Sequence, residues 1–168
     1  KIRNGYGVRK AAMREELDAI PRDGSGVALP GVWIDRSQTL PEKVVVRLDL
    51  DDEFVHKPMP EREAWVDDWI KRVLDPVLDQ LDKSLRYVFS QDYARHRDFS
   101  VWGGHAITLG LRRQTHIGIE MHKVPYAQQR QIVIHAIKRL PNRCGGAMDA
   151  TGPGAPLAEE VADEFGHS

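Results

Sequence analysis

Cys144 is the only cysteine in the chain. No disulfide can therefore form within it, a zinc centre built from several cysteines is excluded, and a reducing compartment is expected. Long apolar runs are missing as well: none approaches the roughly 20 residues that a membrane-spanning helix needs. The opening residues, Lys1-Ile2-Arg3-Asn4-Gly5, include neither an initiator Met nor a signal peptide, so the chain reads as an excised piece of something longer. Internal repeats and low-complexity tracts are absent too. At 168 residues there is length for one well-packed domain with an appendage.

The formal charge of -1 hides an uneven distribution. Residues 1–85 hold 14 Lys and Arg against 17 acids. Residues 86–143 hold 10 against 3, with five histidines, and residues 144–168 hold five acids and no Lys or Arg. A basic stretch flanked by acidic candidate ligands suits a polyanionic substrate. A solvated basic face has the same composition.

Val8 to Asp18 has the residues of a short helix, stopped by Pro21. Val27 to Ile34, interrupted by Pro30 and Gly31, is expected to be extended. Lys43 to Leu50 reads as a strand, and Asp51-Asp52-Glu53 as the turn that ends it. From Glu61 to Lys83 an amphipathic helix is expected to pack through Trp65, Trp69 and Val73, with Pro76 kinking or splitting it. Leu85 to Ser90 is a strand leading to Asp92. Phe99 to Trp102 opens a second strand, where Gly103-Gly104 marks a bulge or a close approach; it continues to Leu111. Arg112-Arg113-Gln114 turns the chain into a third strand, Thr115 to Met121. A helix from Tyr126 to Arg139 buries Ile132, Val133, Ala136, Ile137 and Leu140. Gly146 to Met148 is a fourth strand, closed by Asp149. A last helix buries Leu157, Ala158, Val161, Ala162 and Phe165, with Gly166 as its C-cap.

From Leu85 the order is β-β-β-α-β-α, that of a ribonuclease H-like mixed sheet, an α/β fold. The corresponding domain reading is a connector over 1–60 and a domain over 61–168 with its core at 85–165. In such a sheet the first and fourth strands lie side by side, which brings Asp92 and Asp149 together. Two adjacent carboxylates are hard oxygen donors suited to Mg²⁺ or Mn²⁺. Two such ions about 3.5–4 Å apart activate a water and steady the leaving oxygen of a phosphodiester. Asp98 is a third acid in the loop after Asp92, in a supporting role, and Arg95, His96 and Arg97 are placed to meet a scissile phosphate. His116, His122 and His135 match no metal spacing and read as surface or satisfied histidines.

The segment Gln91-Asp92-Tyr93-Ala94-Arg95-His96-Arg97-Asp98-Phe99-Ser100-Val101 resembles the first nuclease motif of the large terminase subunits of tailed phages, particularly the Mu-like branch. Met148-Asp149-Ala150-Thr151-Gly152-Pro153-Gly154, followed by Leu157-Ala158-Glu159, resembles the second. The resemblance covers Leu85 to Phe165 and implies a metal-dependent endonuclease that cuts concatemeric double-stranded viral DNA. It also implies a portal and a small terminase subunit as partners, the bacterial host cytoplasm as location, and no membrane. An ATP-driven motor belongs to the same family, but no Gly-x-x-x-x-Gly-Lys-Ser/Thr loop occurs here, so ATP is expected only in an upstream domain. The family's third acidic ligand follows a further strand. Here Glu159, Glu160, Asp163 and Glu164 are the only later acids, so the metal site is expected to be incomplete and this chain alone weakly active. Rival readings are another ribonuclease H-like nuclease of the resolvase or integrase type, an actin-like ATPase, and a non-catalytic DNA- or portal-docking domain.

Overall fold

The computed structural model describes residues 44–94, 98–152 and 154–166, together with Val32, Trp33 and Asp35. The chain divides into two compact units, Lys1–Thr39 and Leu40–Ser168. Of the first, the three described residues are helical, so Val32 and Trp33 do not lie in the extended segment expected there. Val8 to Asp18 lies outside the described residues.

The second unit is an α/β structure around a five-stranded mixed sheet. Its strands are β1 (Val45–Asp49), β2 (Arg86–Asp92), β3 (Ser100–Ile107), β4 (Arg113–His122) and β5 (Arg143–Met148), in the spatial order β1-β4-β3-β2-β5. Its helices are α1 (Met59–Trp69), continued by a π-helical turn (Ile70–Leu74) and the short α2 (Asp75–Leu78), then α3 (Tyr126–Arg139) and α4 (Gly154–Phe165). β3 is antiparallel to β2 and β4, whereas β1 is parallel to β4 and β5 parallel to β2. Val45–Asp49, expected ahead of the domain, is thus the outer strand of its sheet. No helix among the described residues is long and apolar enough to cross a membrane.

Alternation decides which face of the sheet is buried. Tyr87 and Phe89 on β2, Trp102 and Ala106 on β3, and Ile117, Ile119 and Met121 on β4 pack with Ile132, Val133, Ala136 and Ile137 of α3 in one core. These α3 residues are the stripe that the sequence marks. The intervening strand residues, among them Arg47, Ser90, Asp92 and Val101, are exposed, and among the described residues no helix covers their face. The glycine pair acts as expected. The β3–β4 register shifts between Gly104 and His105, and a Cβ on Gly104 would lie 2.7 Å from the Ile117 side chain.

Two expectations are corrected. Val73 is 38 % exposed, and the helix packs instead through Val66, Trp69, Ile70, Leu74 and Leu78, with Trp65 partly buried. An α-helix turns about 100° per residue, so a fourth-residue stripe drifts by roughly 40° each step. The π-helical turn, in which Asp75 N–H donates to Ile70 C=O, turns less per residue and keeps 66, 70, 74 and 78 in line. That turn ends beside Pro76, which lies in the first turn of α2. Second, β3 stops at Ile107, not Leu111. Gly110 (φ 83°) and Leu111 (φ 61°) turn the chain, Thr108 N–H donates to Arg112 C=O at 2.9 Å, and Leu109 and Leu111 stand exposed at the hairpin tip. Arg113 consequently belongs to β4.

Candidate functional site

Because β1, β2, β4 and β5 all run in one direction, their C-terminal ends meet at one edge of the sheet. Asp92 ends β2 there. β2 and β5 are paired through Gln91 and Met148, and the ladder gains one more bond, from Asp149 N–H to Gln91 C=O at 2.9 Å. Asp92 and Asp149 thus terminate neighbouring parallel strands, about 4.8 Å apart as paired strands lie. Their parity is that of the partners Ser90 and Ala147, so both project from the face that carries no helix.

The Asp92 end is braced from inside the domain. Gln91 occupies an inward position of β2 and is buried. Its amide Nε2 donates to the Asp92 carbonyl at 2.8 Å and to Ser100 Oγ at 2.7 Å, and the Ser100 hydroxyl donates to the same carbonyl at 3.0 Å. Farther along, the buried Gln129 of α3 donates through Nε2 to Ala94 C=O and Val124 C=O, both at 2.8 Å. Buried carbonyls need such partners. Tyr93, between the two anchors, is buried with its hydroxyl unpaired; burial foremost, and then the Glu160 carboxylate, push that hydroxyl's pKa well up. The sequence reading passed over Gln91, Ser100 and Gln129. One signal for Gln91 was there, a polar residue at the inward parity of Tyr87 and Phe89.

The Asp149 end is braced by its own turn. Asp149 Oδ1 accepts from the Thr151 hydroxyl at 2.7 Å and from Thr151 N–H at 2.9 Å. Those two bonds, the hydroxyl's first, hold the carboxyl below its ordinary pKa and leave Oδ2 outside the turn. Gly154, the first residue of α4, closes the turn, and a Cβ there would lie 2.3 Å from the Asp149 carbonyl oxygen and 2.9 Å from the Tyr93 ring. Only glycine admits this approach.

Asp98 is exposed in the β2–β3 loop; Arg95, His96 and Arg97 lie outside the described residues. The later acids belong elsewhere. Glu160 pairs with Arg130 and Glu164 with Lys138 on the α3–α4 side, while Glu159 and Asp163 are exposed. Two side-by-side carboxylates have the donor chemistry of a hard divalent cation, but among the described residues no group of three His, Cys, Asp or Glu gathers. Three of the histidines are satisfied: His116 by Tyr87, His122 by Asp49 and His135 by Asp75.

Two positions from Asp92 on the same face, Ser90 Oγ lies 2.8 Å from His105 Nε2, and His105 Nδ1 lies 3.0 Å from Thr115 Oγ1. This chain of hydrogen bonds crosses β2, β3 and β4. Partial burial, and secondarily Arg113, lower the His105 pKa, so the imidazole is neutral at neutral pH. A Cβ at Gly103 would lie 2.8 Å from the His105 ring, so the glycine makes room for it.

Two comparisons found nothing: no protein-family model matches the chain, and no solved structure matches it. Curated relatives do match. A protein of Escherichia phage Mu, described as a probable terminase large subunit, gp28, is 36 % identical over 158 residues, which is 94 % of this chain and 29 % of that protein. The Mu-like prophage FluMu protein gp28 of Haemophilus influenzae is 32 % identical over 154 residues, 92 % of this chain and 30 % of that protein. The chain thus spans under a third of the length of these relatives.

Proposed function

Since the chain belongs with the Mu-like terminase large subunits over the segment it matches, we propose that this segment is their DNA-cleaving part. In this reading it is a ribonuclease H-like endonuclease domain that hydrolyses phosphodiester bonds of concatemeric double-stranded DNA during genome packaging. One observation carries the reading: Asp149 N–H extends the β2–β5 ladder onto Gln91 C=O, so that two carboxylates end adjacent parallel strands. Asp92 and Asp149 would hold Mg²⁺ or Mn²⁺, which supplies Lewis-acid stabilisation of the phosphate when bound. The chain's own contribution is positional. Gln91, Ser100 and Thr151 fix the two acids before an ion arrives, so less ordering has to accompany binding. Asp98, Arg95, His96 and Arg97 are proposed to meet the phosphate. The portal and the small terminase subunit as partners, and the host cytoplasm as location, come with the same reading, as does an ATP-driven motor elsewhere in the longer protein.

The test is plasmid cleavage with Mn²⁺ by a chain of the relatives' full length. Asp92→Asn or Asp149→Asn should remove cleavage with the fold retained by circular dichroism, a loss above the roughly 10–100-fold that removing an outer partner of a metal ligand causes. Arg97→Ala should weaken cleavage less, since the metal ligands remain. Asn variants that cut like the parent would make both acids structural and favour a docking domain.

A further inference from the structure

Among the basic residues of 86–143 two groups contrast. On the helical side, Arg130 pairs with Glu160, Lys138 with Glu164, and Arg139 with Asp75 and Asp79. Those charges are neutralised within the protein. Arg86 and Arg113 have no carboxylate partner among the described residues, and they lie in one row. Arg86 of β2 is opposite Ile107 of β3, which is opposite Arg113 of β4. Residues in register share a face, so both guanidinium groups stand on the side without helices. Along β2 the same parity runs Arg86, Val88, Ser90, Asp92. Arg113 also lines an open cavity of about 590 Å³, together with Ser90, His105 and Ala147, and no acidic residue lines it.

We infer that this sheet face, which no described helix of the second unit covers, is a track for the sugar-phosphate backbone of duplex DNA, running from Asp92 and Asp149 at one end to Arg86 and Arg113 at the other. Three observations carry it. Arg86 and Arg113 bring to their end of the face two cations with no carboxylate partner among the described residues, complementary to phosphate. The cavity between the arginine row and the carboxylates presents Ser90 and His105 as neutral hydrogen-bonding groups. The length is right for several nucleotides: six residues of strand span about 20 Å, roughly six base pairs at one phosphate per strand every 3.4 Å of duplex axis. The inference rests on the nuclease reading only for the location of the scissile phosphate.

The experiment is DNA binding by residues 1–168, followed by fluorescence anisotropy with a labelled duplex in EDTA over a series of salt concentrations. EDTA takes the carboxylate site's metal out of the measurement, so a failure of the nuclease reading leaves this result unaffected. Arg86→Gln/Arg113→Gln should weaken binding about tenfold at low salt and reduce the slope of log K against log salt by about 1 per arginine. The matched control on the helical side, Arg130→Gln/Arg139→Gln, should bind like the parent. An unchanged slope in the first variant, an equal loss in the control, or a parent that binds no duplex at low salt overturns the track.

Discussion

The two acidic strand ends are only a strand spacing apart, yet they are held by opposite means. The Asp92 end depends on residues farther along the chain: Ser100 from the next strand, which also anchors the Gln91 amide, reaches back to the Asp92 carbonyl, and Gln129 from α3 reaches that of Ala94. The Asp149 end depends on Thr151, two residues on, and on the missing side chain of Gly154. One is set by tertiary packing and the other by a local turn. A pair of acids assembled this way needs the domain folded before its first member is placed, whereas its second member is ordered by its own loop.

Gly154 touches both ends, so its replacement should have the largest effect. In Gly154→Ala the new Cβ meets the Asp149 carbonyl and the Tyr93 ring, and the turn must move. Overpacking of this kind costs about 2 kcal/mol, or roughly 4–8 °C in Tm for a chain of this size by calorimetry. An unchanged Tm would mean that the turn relaxes freely and that the contact does not constrain the site.

Gln129→Leu separates the two ends. It takes the amide donor from the part-buried carbonyl of Ala94 and the buried one of Val124, at a cost of about 1–3 kcal/mol in chemical denaturation. Amide exchange should rise around Tyr93 and Ala94 while protection at Thr151 is kept. Equal loss of protection at both ends would show that they are one cooperative unit and end the contrast.

Thr151→Val is the mildest change. It removes the hydroxyl that most lowers the Asp149 pKa and leaves the backbone N–H in place. The carboxyl should titrate closer to its ordinary value in an NMR pH series. Sign follows from linkage. A carboxyl whose folded pKa lies below its unfolded one contributes stability that is present above the unfolded pKa and lost as pH falls through the folded one. The variant should therefore lose less stability on acidification than the parent. An Asp149 titration identical to the parent's would assign the shift to the backbone bond alone.

His105 offers a fourth measurement, at the arginine end of the face. Its folded pKa lies below the unfolded value, so its neutral form stabilises the fold above the unfolded pKa, and stability falls as pH drops below that value. His105→Gln should flatten the fall in Tm between about pH 7 and pH 5. A slope identical to the parent's would show that other groups set it.

Much of this arrangement could be read from the sequence. Asp92 and Asp149 at strand ends, the Ile132–Ile137 stripe of α3, the bulge at Gly103-Gly104 and the C-cap at Gly166 (φ 84°) follow from patterns a few residues long. Gln91 was readable in principle, by parity alone. Val73 was misjudged because a stripe counted on an ideal α-helix takes no account of a π-helical turn, and Leu109 and Leu111 because apolar residues at a hairpin tip imitate a strand.

By itself the sequence determined the local elements, since helix stripes, strand alternation and glycine turns act over one or two turns of chain. It also determined that the basic charge is concentrated in 86–143. Only the tertiary structure decided that β1 pairs with β4 at the sheet's outer edge, that Gln129 braces the loop after Asp92, and that Arg130 and Arg139 are neutralised while Arg86 and Arg113 are not. Each of these depends on which residues meet across tens of positions. A two-residue strand period says which way a side chain points but not which strand lies beside it.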